Sequence, residues 1–94
     1  MNREMLIKLW QAHKNDEWPH VETGQEGPLM TLDTVISGCV VYVLDGEEDL
    51  DEQRRAIVSD CLAELDTLEI EINDECRSYF GRLREIGTLL LITT

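Results

Sequence analysis

The chain has 94 residues, 43% of them hydrophobic, and a formal net charge of −12. That length builds one small core, residues 1–94 as a single domain, and excludes two. The acidity excludes direct binding to nucleic acid or an anionic membrane, whose phosphates would repel the chain over about a Debye length.

Residues 2–15 set Met5, Leu6, Leu9, Trp10 and His13 at helical spacing between charged and polar positions, which predicts an amphipathic helix with His13 half-buried on its apolar side. Residues 16–29 hold both prolines and follow no period, so a long connection is expected there. Trp18, inside that stretch, either folds back as a lid on the core or stands out as an aromatic anchor.

From residue 30 the chain turns apolar, and Leu32, Val35, Ile36, Cys39, Val40, Val43 and Leu44 recur as on one helix face, with Thr31 as the expected N-cap. Gly38 and the β-branched run CVVYVL keep a strand open over residues 39–44. Leu50, Ile57, Val58, Cys61, Leu62, Leu65, Leu68 and Ile72 predict a third helix reaching about residue 70. A fourth starts at Asn73 as N-cap and presents Cys76, Tyr79, Phe80, Leu83, Ile86 and Leu90 on one face.

These elements make an all-α bundle of about four helices. The alternative is an α+β fold with short strands near 39–44, 67–72 and 88–93. It must join a helix ending near residue 66 to a strand starting near residue 68, without the C-terminal glycine such junctions use.

Residues 45–55, DGEEDLDEQRR, hold the densest charge. Read as a calcium loop from Asp45, they place Leu50 where glycine is needed and Ala56 where a bidentate glutamate is needed, which rules out an EF-hand. Helix initiation explains part of the charge: Asp49 and Glu52 form an acidic capping box, and Asp51 and Arg55 an i, i+4 ion pair.

It leaves Asp45, Glu47 and Glu48, and a stripe of Asp60, Glu64 and Glu71 further along, with no base between Arg55 and Arg77. Like charges at i, i+4 destabilise a helix, so local stability gives no reason to collect them. The stripe is a docking face for a cationic surface, an ordinary solvated face, or the mark of a high-salt habitat. Habitat acidity would cover the whole surface, whereas residues 76–94 carry one acid and three bases.

Signatures of catalysis or of a metal or cofactor site are missing. His13 and His20 stand in no ExxH or HExxH pattern, the glycine-containing stretch GQEGP lacks a phosphate-binding lysine, and Cys39, Cys61 and Cys76 have no CxxC spacing. The thiols read as buried and free in a reducing compartment. The longest uncharged run, residues 34–44, is shorter than a membrane span needs. A soluble, cytoplasmic, non-enzymatic chain is expected.

The expected function is that of an acidic protein-interaction module, an inhibitory or neutralising partner of the immunity-protein, antitoxin or DNA-mimic kind. Its carboxylates at Asp45, Glu47, Glu48, Asp60, Glu64 and Glu71 would cover a basic toxin or nucleic-acid-binding protein. Size, charge and helix count are similar to those of bacterial immunity proteins that neutralise nucleases, but no adjacent tyrosine pair is present, Tyr42 and Tyr79 being isolated. The alternative is a homo-oligomeric structural subunit, for instance a homodimer, joined through the apolar C-terminus at Leu89, Leu91 and Ile92.

Overall fold

The computed structural model describes residues 3–21, 24–46, 49–69 and 74–93. These form α1 (Arg3–Asn15), α2 (Glu26–Gly46), α3 (Glu52–Glu69) and α4 (Asp74–Thr93), with no strand among the described residues. Side-chain pairs fix the directions. Arg3 meets Val43 and His13 meets Asp33, so α1 and α2 run antiparallel. Arg55 meets Leu91 and Asp66 meets Arg84, so α3 and α4 do too. The result is an up-down-up-down bundle in which α4 packs on all three other helices and α2 and α4 form the short diagonal.

Amphipathic patterning explains which faces close on the core. α4 has the most neighbours and the widest buried face, with Cys76, Tyr79, Phe80, Leu83, Ile86, Leu89 and Leu90 inside. α2 contributes Leu29, Leu32, Ile36, Cys39, Val40 and Val43, and α3 only Val58, Cys61 and Leu65. α1 buries Leu6 and His13 and leaves Met5 and Ile7 exposed. Trp18 folds back, setting its ring edge-on to both Tyr79 and Phe80 at 5.6 Å between centroids.

Several boundaries differ from the sequence expectation. The connection between α1 and α2 ends at Gln25, not at residue 29, because Gln25 accepts the first helical hydrogen bond, from Leu29 N–H at 3.0 Å. Pro28 therefore sits in the first turn, where its missing N–H would have had no partner. Thr31 is not the N-cap. It lies inside the helix and donates its hydroxyl to Gly27 O at 3.2 Å. Residues 39–44 and 88–93 are helical, as is the described part of 67–72, which removes the α+β alternative. At the start of α3 the cap is Asp51, not Asp49: its Oδ1 accepts the Arg54 backbone N–H at 2.7 Å and its Oδ2 pairs with the Arg54 guanidinium. The ion pair is thus i, i+3, and Arg55 is released for another role. Asn73 lies outside the described residues.

Two arginines close helix C-termini, where carbonyls lack helical partners and the dipole favours a cation. Arg3 Nη2 donates to Val43 O at 2.7 Å near the end of α2, and Arg55 Nη2 donates to Leu91 O at 3.0 Å near the end of α4. Arg54 also lies over the Tyr42 ring, 4.0 Å from its centroid, which ties α3 to α2.

Two glycines of α4 make a controlled comparison. A Cβ at Gly87 would come within 2.8 Å of Leu62 Cδ2 on α3, whereas one at Gly81 would meet nothing within 4 Å. Gly81→Ala is expected to stabilise the fold by about 0.5–1 kcal/mol through helix propensity, and Gly87→Ala to lose that gain to the displaced Leu62 side chain. Urea midpoints of the two variants test this, and equal gains would show that the α3–α4 contact is loose.

Candidate functional site

Of the acidic positions, Asp60 and Glu64 stand exposed one turn apart on the outer face of α3, with Asp49 exposed just before that helix and Asp45 exposed at the end of α2. Glu47, Glu48 and Glu71 lie outside the described residues. Ile57, expected in the core, is instead 40% exposed one turn before Asp60, so the acidic face includes an apolar side chain.

The cations are placed elsewhere. Besides the two helix-capping arginines, Arg54 pairs with Asp51, Arg77 with Asp74, Arg82 with Asp16 and Arg84 with Asp66. Neither Asp60 nor Glu64 takes part in any ion pair among the described residues. The pairings also act on the acids. The Arg54 backbone N–H holds the Asp51 carboxyl below its ordinary value, and the Arg82 guanidinium does the same for Asp16.

A second cluster joins α1, α2 and α4 inside the bundle. His13, only 4% exposed, donates from Nε2 to Asp33 Oδ1 at 2.5 Å, and the Tyr79 hydroxyl donates to Asp33 Oδ2 at 3.3 Å. Because a carboxylate oxygen only accepts, the hydrogen of this short bond sits on His13 Nε2. His13 Nδ1 has no partner among the described residues, and the ring lies 4.5 Å from Tyr79 and 6.2 Å from Trp10, centroid to centroid. Burial, and then the Asp33 charge, raise the Tyr79 phenol above its ordinary value, so it holds its proton as a donor.

Sequence reasoning put His13 on the apolar side of α1 but only half-buried, where the structure buries it, and it missed the partner. The available signal was that Asp33 is the sole charged residue between Glu26 and Asp45, and a lone carboxylate in an apolar helix needs hydrogen-bond donors.

Beside this cluster, a cleft of about 440 Å³ is lined by Asp16, Glu17, Trp18, Pro19, His20, Ser78 and Tyr79. His13 is not among its walls, and Tyr79 reaches the cluster from it only through a hydroxyl already donated to Asp33. The geometry is that of a structural hydrogen-bond bridge between three helices.

All three cysteines are free and buried. Burial raises the Cys39 and Cys61 thiols above their ordinary values, and the Cys76 thiol donates to His20 O at 3.3 Å. Among the described residues no three His, Cys, Asp or Glu side chains gather as metal ligands would.

The apolar C-terminus is mostly spent on the core. Leu89 and Leu90 are buried, Leu91 is half-buried, and of the three residues expected to mediate self-association only Ile92, 67% exposed, faces outward. α2 is the one described helix long and apolar enough to cross a membrane by length and composition, with a mean hydropathy of 1.5 in its most apolar window. Compared with known proteins, the chain matches no family model, no curated protein and no solved structure.

Proposed function

We propose that the protein is an acidic interaction module that covers a basic surface on another protein through the outer face of α3. What supports this reading is the commitment of every arginine to an internal contact that leaves Asp60 and Glu64 uncompensated. Such a face steers a cationic partner and repels nucleic acid. Ile57 adds apolar contact area beside the two carboxylates, and Asp45 extends the charge past the α2–α3 corner. The partner is a toxin or a nucleic-acid-binding protein whose basic site the carboxylates neutralise, an immunity, antitoxin or DNA-mimic role. Three free thiols fit a reducing compartment for this work.

Double charge reversal, Asp60→Lys with Glu64→Lys, tests the reading. The two lysines keep one like-charge i, i+4 pair in place of another, so helix stability is expected to change by no more than a few tenths of a kcal/mol, and lost binding cannot be blamed on unfolding. For a basic protein captured on the immobilised chain, the dissociation constant measured by titration calorimetry is expected to rise at least about tenfold in the variant. The wild-type affinity is expected to fall as salt rises. Binding that ignores both the reversal and the salt overturns the proposal.

A further inference from the structure

Residues 16–21, between α1 and α2, are fastened to α4 along their length. Asp16 Oδ2 accepts from Arg82 Nη2 at 2.5 Å, the Trp18 ring packs against Tyr79 and Phe80, and His20 O accepts the Cys76 thiol at 3.3 Å. Val21 then enters the core, and Pro19 fixes a backbone dihedral between Trp18 and His20. A segment pinned in this way makes a preformed wall for the cleft of about 440 Å³ that it shares with Ser78 and Tyr79. A preformed site binds without an ordering cost.

Several groups of the cleft are already committed. Asp16 is spent on Arg82 and on the Glu17 backbone N–H, and the Tyr79 hydroxyl on Asp33. Left for an occupant are the Glu17 carboxylate, which pairs with no cation among the described residues, the exposed Ser78 hydroxyl and the half-buried Trp18 indole. Neither Tyr79 nor Phe80 stacks on that indole, since both stand near-perpendicular to it, at 76° and 86°. Indole is the strongest aromatic platform for a cation. The two carboxylates of the cleft face one guanidinium, that of Arg82, which leaves one negative charge to be matched.

The chemistry that fits is present in the molecule once already. Arg82 holds its guanidinium 5.8 Å from the Tyr79 ring centroid while it pairs with Asp16, so an aromatic ring and a carboxylate share one cation. Glu17 and Trp18, the next two residues of the chain, offer the same two kinds of partner in the same cleft. We propose that the cleft is a pocket for one arginine side chain of another protein, its guanidinium stacked on the Trp18 indole and paired with the Glu17 carboxylate.

A guanidinium is planar and weakly hydrated, so it loses little in entering a cleft that stays open to water, whereas an ammonium group holds its hydration shell. Asp16, Glu17, His20 and Ser78 are all exposed, so a side chain carried on a protein surface reaches the cleft. The pocket stands independently of the acidic-face reading, because none of its residues lies on α3.

Heteronuclear NMR of the full chain titrated with Nα-acetylarginine amide tests the pocket, at a slightly alkaline pH where imidazole groups are mostly neutral and at about 0.15 M salt. Saturable shifts of the Trp18 indole and the Ser78 amide are expected, with a dissociation constant in the millimolar range and the Trp10 indole unmoved. Glu17→Gln, an exposed change outside the helices, is expected to raise that constant at least about threefold. Asp60→Asn, the same charge change on α3, is expected to leave it unchanged, which separates the pocket from the α3 face. Nα-acetyllysine amide is expected to bind at least about threefold more weakly, and the neutral isostere Nα-acetylcitrulline amide not to saturate. Acetyl-Ala-Arg-Ala amide, which carries the side chain on a longer backbone, is expected to bind as tightly as the single residue.

Shifts that grow linearly without saturation overturn the proposal. So does equal weakening by Glu17→Gln and Asp60→Asn, which would reduce the effect to net charge, or equal binding of the lysine or citrulline amide. A cleft that takes the arginine amide and excludes the tripeptide belongs to a free guanidino compound, and that result overturns the assignment to a protein side chain.

Discussion

Phe80→Ala is expected to cost about 3–5 kcal/mol of folding stability. The side chain is fully buried and meets the edge-on rings of Trp18 and Tyr79, at 5.6 and 5.0 Å between centroids. It is the largest fully buried side chain of the core, so its removal leaves a cavity the neighbours fill only in part. Aromatic pairs of this geometry add roughly 0.5–1.5 kcal/mol beyond the area they bury. A domain of this size has about 5–15 kcal/mol in total, so the variant stands at the edge of unfolding. Urea titration followed by circular dichroism measures it. A loss below about 1 kcal/mol would show that the aromatic group does not hold the linker on α4.

Asp33→Ala is expected to cost about 2–4 kcal/mol, because it strips the acceptor from two donors, His13 Nε2 and the Tyr79 hydroxyl. His13 has no alternative within the bundle, while the 21% exposure of the Asp33 side chain lets water recover part of the loss. Replacing the whole bridge by apolar groups of similar size, with His13→Phe, Asp33→Leu and Tyr79→Phe together, is expected to be nearly neutral, since no orphaned polar atom remains. The comparison separates a bridge that stabilises from one that only has to be complete. Additive single losses in a double-mutant cycle on His13 and Asp33 would show that the two groups are uncoupled.

The helices were legible because the apolar period of 3.6 runs through each of them, and α2 shows how a global pattern overrides a local one. Gly38 and CVVYVL favour a strand when read residue by residue, yet Leu32, Ile36, Cys39, Val40 and Val43 all face the core as one helical stripe. Boundaries were less legible. Asp49 and Asp51 both satisfy the residue preference for an N-cap, and only the backbone path, which buries Leu50 between them, selects Asp51.

Of the candidate site, the exposure of Asp60 and Glu64 followed from the helical period, but the placement of the arginines did not. Arg3 lies 40 residues from Val43 and Arg55 lies 36 from Leu91, and no spacing rule reaches that far. The fate of the C-terminus was hidden for a similar reason. Four consecutive apolar residues exceed one helix face, but α4 packs on three neighbours and so buries more than one face.

With every arginine engaged in a contact within the chain, the cations left are Lys8 and Lys14, the only lysines of the sequence, both exposed and both on α1. Amine-directed reagents acting on lysine therefore modify α1 and spare α2, α3 and α4. A fluorophore or a solid support attached through these lysines holds the molecule by α1, with the acidic outer face of α3 left open to solution.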